Sequence, residues 1–359
     1  RSLPERRAER NAEANRPPLG SITAEALAAA VSDPLVIFDR QGTVIHVNGA
    51  CGVAFPGLSV GPSLPLRFRA PEMQEMIAKA LAHGQPLSID YSEKVPVERF
   101  FRVSASPVGD GGDWFVMIFK DQSEIRRIDR MRADFIANAS HELRTPLASV
   151  AGFIETLRGP AKNDPAAREQ FLQIMQTQTV RMARLIDDLL SLSRLEMKPY
   201  LDPAERVDLR PLIEGVMDAL RPLAEESGVR IEADLGSDPL VVAGSRDELI
   251  QVFENLLENA CKYGRSGGLV EVSVNRAGQG NGIAVSVLDH GPRLPEEHIP
   301  RLTERFYRVD VETSRGQKGT GLGLAIVKHI LTRHKARLSV SSRPGEGATF
   351  TVHFPPAVG

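Results

Sequence analysis

The chain has 359 residues, 42% hydrophobic and 25% charged, with a formal net charge of −2. That is ordinary globular composition, enough for roughly two to three domains of about 150 residues, and the near-neutral balance gives no reason to expect nucleic acid as a partner. Cys51 and Cys261 stand far apart and the eight histidines are scattered, which argues against a disulfide framework or a zinc cluster and suits a reducing compartment.

Residues 1–20 are polar and read as a linker. Arg1, Arg6, Arg7, Arg10 and Arg16 interleave there with Glu5, Glu9 and Glu13, and Pro17-Pro18 then Gly20 stop the segment. No stretch reaches the roughly 18 apolar residues of a spanning helix. An arginine-rich start is nonetheless what flanks the cytoplasmic end of one, so the expectation is the cytoplasmic portion of an inner-membrane protein with its span upstream. Residues 21–120 read as a short helix, strands, a helix and more strands. Leu35-Val36-Ile37-Phe38 and Thr43 to Asn48 flank the turn Asp39-Arg40-Gln41-Gly42. Met73 to Leu81 reads as a helix stopped by Gly84. Phe100 to Ser106 and Trp114 to Phe119 read as strands around Gly109-Asp110-Gly111-Gly112-Asp113. The pieces "VIFDRQGTVIHVNGA" and "WFVMIFKDQSE" resemble a PAS sensor domain, an α+β fold with a central antiparallel sheet. His46 and Cys51 read there as packing residues.

Residues 121–200 become two helices. In the first, Leu143, Leu147, Val150, Ile154 and Leu157 recur at spacings of four, three, four and three, a helical seam. His141 falls about 200° from Leu143 and about 180° from Val150, so it faces away from the seam, and Thr145 shares its face. Pro146 cannot donate to the carbonyl of Glu142, so a bend is expected beside the histidine. The second helix carries Phe171, Met175, Gln178, Met182, Leu185, Leu189 and Leu192 at alternating spacings of four and three. The turn signals Gly159-Pro160 and Asn163-Asp164-Pro165 make the pair a hairpin. A lone hairpin leaves apolar surface, so pairing with a second copy into a four-helix bundle is expected.

Residues 205–357 alternate strand and helix as an α/β sandwich, with three polar constellations. Asn255 and Asn259 share one face of a helix ending in Lys262-Tyr263, while Phe253, Leu256, Leu257 and Ala260 point inward. Amide oxygens there suit a hard cation such as Mg²⁺ against phosphate oxygens, although a lone Asn pair is ordinarily a solvated face. Asp289-His290-Gly291-Pro292-Arg293 follows a strand, and its carboxylate can accept from an exocyclic amine. Gly319-Thr320-Gly321-Leu322-Gly323 opens a helix, where glycines let N–H groups approach a phosphate. Its spacing is neither that of a dinucleotide fold nor that of a Walker loop. Residues 290–318 between them have the profile of a lid, with Phe306 and Tyr307 as anchors.

Together the segments resemble a sensor histidine kinase: "HELRTPL" its H box, "NLLENACKYG" its N box, "DHGPRLP" its G1 box, "ERFYRVD" its F box and "GTGLGLAIVKHI" its G2 box, with the tail "PGEGATFTVHFP". The sandwich is then the ATP-binding domain of the GHKL type. Within the family, "RLTERFYRVD" and "GTGLGLAIVKHILTRH" are most similar to phosphate-regulon sensors of proteobacteria, in particular alphaproteobacteria. The resemblance implies that His141 attacks the γ-phosphate of ATP with Glu142 as neighbouring base. The phosphoryl group then passes to an aspartate of a response regulator receiver domain. Thr145 would position water for dephosphorylating that regulator. Asn259 would hold Mg²⁺ with Asn255 beside it. Lys262 would contact phosphate and Tyr263 adenine, and Asp289 with Gly291 would receive the adenine amine. Gly319, Thr320, Gly321, Leu322 and Gly323 would form the phosphate loop. The implied partners are the regulator, a second copy through the hairpin, and an upstream membrane or transporter complex.

Arg293 stands where the G1 box usually has a second glycine. If that position needs a positive φ, Arg costs roughly 1–2 kcal/mol and weakens nucleotide turnover; Ala336 is a milder departure of the same kind. Two alternatives remain open from the residues alone. A nucleotide-binding scaffold would keep the fold and lose turnover. An ATPase of the gyrase or Hsp90 type would carry a glutamate where this chain has Asn255 and would lack the His141 hairpin.

Overall fold

The computed structural model describes residues 23–93, 98–109, 112–197, 205–277, 282–309, 319–343 and 346–356. The expected linker over residues 1–20, Asp110 and Gly111 of the expected turn, residues 310–318 of the expected lid and Pro344-Gly345 of the tail motif lie outside the described residues. The chain divides into two units, Arg1–Asp134 and Phe135–Gly359.

The first unit runs α1 (Ala24–Ala30), β1 (Leu35–Asp39), β2 (Val44–Val47), α2 (Gly49–Ala54), α3 (Leu64–Arg67), α4 (Pro71–His83), β3 (Leu87–Glu93), β4 (Arg99–Val108) and β5 (Trp114–Asp121). The strands form one antiparallel sheet in the order β2-β1-β5-β4-β3, the PAS-like layout. Helix α4 starts on Pro71, whose missing N–H costs nothing there, and ends on Gly84 at φ +58°. The unit's core is aromatic: the Phe119 ring lies 4.6 Å from Phe55 and 5.2 Å from Phe68, and Phe55 and Phe119 sit beside buried Phe101. Strand β3 is absent from the sequence expectations because it is an edge strand, with Ser88 and Asp90 on its outer face. Arg102 and Arg126 hold Asp90 at 2.6 and 2.7 Å.

Asn48 fastens this unit. Its Oδ1 accepts from Leu35 N at 3.0 Å and Cys51 N at 3.3 Å, and its Nδ2 donates to the carbonyls of Val31 and Asp33, both at 2.9 Å. One buried amide thus joins the end of α1, β1 and α2.

The second unit contains most of a hairpin and the whole sandwich. Helices α5 (Ser123–Arg158, entered from the first unit) and α6 (Pro165–Met197) are continuous, α5 even through buried Pro146. Asp164 caps α6, accepting from Ala166 N and Ala167 N at 3.0 Å. Phe153 stacks on Phe171 at 5.0 Å between the helices. Leu147 and Ile154 of the seam, and Ile136 seven residues before Leu143, are exposed within one chain.

The sandwich comprises β6 (Arg206–Asp208), α7 (Leu209–Ser227), β7 (Arg230–Asp234), β8 (Val241–Ala243), α8 (Arg246–Tyr263), β9 (Leu269–Ala277), β10 (Gly282–Asp289), α9 (Gly323–Arg333), β11 (Arg337–Arg343) and β12 (Gly347–Phe354). Its main sheet has the order β11-β12-β10-β9-β7, antiparallel except where β7 pairs β9. Helix α8 buries Leu249, Val252, Phe253, Leu256, Leu257 and Ala260, the inward face its spacing predicts. Three-residue β8, paired only with β6, is too short to show a period and is also absent from the expectations.

Asn48→Ala is expected to lower stability by at least about 2 kcal/mol, because several buried backbone groups lose their partner. A thermal or urea melt of the first unit's transition measures it.

Candidate functional site: a phosphoacceptor helix and a nucleotide cradle

On α5, His141 is exposed, on the face the helical spacing predicts. Thr145, one turn on, donates its hydroxyl to the His141 carbonyl at 3.2 Å. Glu142 is half-buried and accepts from Nη2 of Arg181 on α6 at 3.1 Å. The imidazole is therefore open to an incoming group, while its neighbouring carboxylate is tied to the opposite helix.

In the sandwich, the three polar constellations meet around α8. Asn255 donates from Nδ2 to the Gln251 carbonyl at 2.8 Å. Its Oδ1 lies so near the start of α9 that a Cβ on Gly323 would collide with it. Asn259 is half-buried one turn further on, and Lys262 pairs with Glu258 at 3.0 Å; Tyr263 is exposed. Beyond the C-terminus of α8, a Cβ on Gly264 would come within 3.2 Å of the Asp289 Cβ, and one on Gly291 would strike the Tyr263 carbonyl.

Asp289, at the end of β10, is 4% exposed and accepts from Gly291 N at 3.0 Å. Gly347, at φ +81°, passes so close to the Asp289 carbonyl that no side chain fits. Burial pushes the carboxyl up to about 6, against the hydrogen bonds from the backbone of Gly291 and Ala348. A buried carboxylate with few donors of its own suits a ligand amine.

The phosphate-loop candidates follow. Gly321 sits at φ +72°, and its carbonyl accepts from Phe306 N at 2.8 Å. Phe306 itself takes φ +62°, and a Cβ on Gly321 would come within 2.9 Å of its backbone. Leu322 is fully buried and anchors the turn from which Gly323 opens α9. Thr320 accepts from Leu322 N at 3.3 Å and donates to Asp188 of α6 at 2.6 Å. Gly319, Thr320 and Lys262 open into a cavity of about 490 Å³, whose other wall includes Arg181 and Arg184 of α6. Free N–H groups at a helix start beside cations are what a polyphosphate requires.

One expectation is corrected. Arg293 does not adopt a positive φ; among the described non-glycine residues only Phe306 and Lys335 do. The strain argument at Arg293 therefore falls, and its guanidinium pairs with Glu296 at 3.4 Å on the surface. Ala336 is likewise unstrained; Lys335 before it takes φ +54°.

The sequence reading missed the α6 side of the site. Besides Asp188, Arg184 pairs with Glu258 at 2.8 Å, Ser191 bonds Gln251 at 2.9 Å and Arg305 pairs with Glu196, while on α5 the Phe135 ring lies tilted 5.9 Å from that of Phe306. The available signal was the acidic Asp187-Asp188 pair interrupting an apolar seam. Burial raises the Asp188 carboxyl, partly offset by the Thr320 bond.

Fold and site together define an ATP-binding sandwich joined to a histidine-bearing helical hairpin. Residues 131–198 match the family described as His Kinase A (phospho-acceptor) domain, and residues 244–358 match the Histidine kinase-, DNA gyrase B-, and HSP90-like ATPase family. The phosphate regulon sensor protein PhoR of Pseudomonas aeruginosa is 36% identical over 333 residues, 92% of this chain and 73% of that protein. The sensor protein kinase WalK of Staphylococcus aureus is 30% identical over 338 residues, 90% of this chain and 79% of that protein. A crystal structure of histidine kinase ThkA in complex with response regulator protein TrrA shares the fold, with a TM-score of 0.52 at 19% identity over 93% of this chain and 98% of that one. The chain belongs to the sensor histidine kinases, the ATP-dependent protein-histidine kinases of two-component signalling.

Replacing Asp289 by Asn separates binding from stability. The folded carboxyl binds its proton more tightly than the unfolded one, so its ionisation destabilises the fold as pH rises from about 4 through about 6. Asp289→Asn should raise the thermal midpoint of the nucleotide-free protein at pH 8, by the equivalent of up to about 3 kcal/mol, and leave it unchanged near pH 4. ATP affinity at pH 8 should fall more than about tenfold, as an ATP titration reads.

Proposed function

We propose that His141 is the phosphoacceptor and that the residues around α8 present ATP to it. The observation that carries this reading is the pairing of an open His141 beside Glu142 with a cavity walled by the same hairpin and by Lys262, Gly319 and Thr320. A neutral imidazole nitrogen is a nucleophile near pH 7, and a carboxylate beside it fixes the tautomer and takes up the ring's proton. Asp289 receives the adenine amine, with Gly291 beside it and Tyr263 against the ring. Gly319 to Gly323 and Lys262 hold the phosphates. Asn259, with Asn255 beside it, offers the hard amide oxygen suited to Mg²⁺, which would screen the phosphate charge. Thr145 orients water when the regulator is dephosphorylated.

The GHKL-type ATPase reading has no support at Asn255, whose amide is bonded to the Gln251 carbonyl and packed on Gly323. The scaffold reading loses its main argument with the ordinary backbone of Arg293.

The exposed Ile136, Leu147 and Ile154 support a homodimer through the hairpin, a four-helix bundle. The domain division we propose is a linker over 1–20, a PAS-like sensor over 21–120, the phosphotransfer hairpin over 121–200 and the ATP-binding domain over 205–357. The receiver domain of a response regulator is the onward partner, and the likeness to PhoR supports phosphate-starvation signalling. No helix among the described residues is long and apolar enough to cross a membrane; membrane or transporter attachment through a segment upstream of residue 1 belongs to the same proposal.

Incubation with γ-labelled ATP tests the core reading. Acid-labile label on the wild type, lost in His141→Ala, is expected; free phosphate without protein label would overturn it. Transfer from labelled protein to a panel of receiver domains should be fastest to the phosphate-regulon regulator, and faster transfer elsewhere would remove that assignment. Leu147→Glu should convert the dimer to monomer in sedimentation equilibrium.

A further inference from the structure

Arg181 stands where two parts of the machinery converge. Its guanidinium donates to Glu142, the residue next to His141, at 3.1 Å, and the same side chain walls the cavity that Lys262, Gly319 and Thr320 face. The side chains of the pair are 33% and 41% exposed, so their attraction is screened and adds at most about 1 kcal/mol to stability. The hairpin is already fastened by its apolar contacts, Phe153 on Phe171 among them. Stability therefore does not explain the placement, whereas geometry does. A carboxylate that must face a ring nitrogen is free to rotate unless something holds one of its oxygens. The neighbouring helix supplies that hold, through Arg181.

We infer that Arg181 is a positioning residue for phosphoryl transfer to His141, acting through Glu142. The inference rests on His141 being the phosphoacceptor. In that step one imidazole nitrogen forms a bond to the γ-phosphorus. The bond from that phosphorus to the bridging oxygen breaks, and its electron pair leaves with ADP. The proton on the other ring nitrogen passes to Glu142. Arg181 keeps one carboxylate oxygen in place, so that the second faces the ring and receives the proton.

The test measures initial rates of acid-labile labelling of the full chain by γ-labelled ATP. The proteins compared are the wild type, Arg181→Ala, Arg181→Lys, Glu142→Gln and the Arg181→Ala/Glu142→Gln pair. Arg181→Ala should lower the limiting rate about 10- to 100-fold, a loss larger than any rise in KM for ATP from the cavity wall. Arg181→Lys should recover part of the loss, and the double variant should be no slower than Glu142→Gln alone. Rates are read below the lowest melting midpoint, so a stability change cannot imitate the result. An unchanged rate in Arg181→Ala, multiplying losses in the double variant, or a change confined to KM would overturn the inference. A wild type without label lost in His141→Ala would instead overturn the phosphoacceptor reading on which it rests.

Discussion

The nucleotide site depends on backbone segments approaching helix α8 and the Asp289 loop more closely than any side chain permits. Gly264 and Gly291 bring the end of α8 against the Asp289 turn, Gly347 lays β12 on the Asp289 carbonyl, and Gly323 admits the Asn255 amide at the start of α9. The Asp289 turn and the start of α9 close on α8, β12 closes on the Asp289 turn, and each contact is made where a Cβ is missing. The apolar face of α8 fixes where these contacts fall, because Leu249, Phe253, Leu256 and Leu257 are fully buried in the core. Core packing of this density tolerates little displacement. The polar face is thus positioned by the opposite side of the same helix.

That dependence explains which parts were legible. A 3.6-residue period reports which face of a helix is buried, so the inward residues of α8 and the outward stance of His141 could be read directly. A carboxylate at a strand end followed by glycine is also local, which placed Asp289 among the candidates. Arg293 shows the limit. The glycine usual at that position of the G1 box suggested strain, but φ is settled by the fold, which places positive φ at Phe306 and Lys335 instead. Edge strand β3 and ribbon strand β8 escaped for a related reason, since pairing rather than burial defines them. The α6 half of the site was the least legible. Thr320 and Asp188 are 132 residues apart, and no local pattern announces such a bond.

The attachment of the sandwich to α6 combines strong and weak terms. Leu185, Leu192 and Leu195 enter the same core as α8 and the main sheet, and burial of each contributes about 1.5–3 kcal/mol. Arg184 with Glu258 lies on the rim, where an ion pair contributes about 0–1 kcal/mol. Asp188 differs from both. Its raised carboxyl marks a net cost of desolvation, so its bond to Thr320 offsets that cost rather than adding to adhesion. Apolar contact therefore holds the sandwich on the helix, and the polar bonds select the register at which it rests.

That register has a pattern of its own. Arg181, Arg184, Asp188 and Ser191 follow one another at spacings of three, four and three, which puts them on one stripe of α6. Their partners are, in turn, Glu142 beside the histidine, Glu258 and Thr320 of the cradle, and Gln251 at the start of the α8 polar face. The apolar seam of α6 gives the hairpin its helical partner. The polar stripe gives it contact with the residue beside His141 and with Glu258, Thr320 and Gln251 of the sandwich. A single helix therefore holds the carboxylate next to His141 and the loop that begins at Gly319 in one frame, so a rotation of α6 would disturb both together. The stripe is periodic in the same way as the seam. It escapes notice because periodicity is ordinarily sought among apolar residues, and a stripe of charges on a long helix reads as solvated until its partners are known.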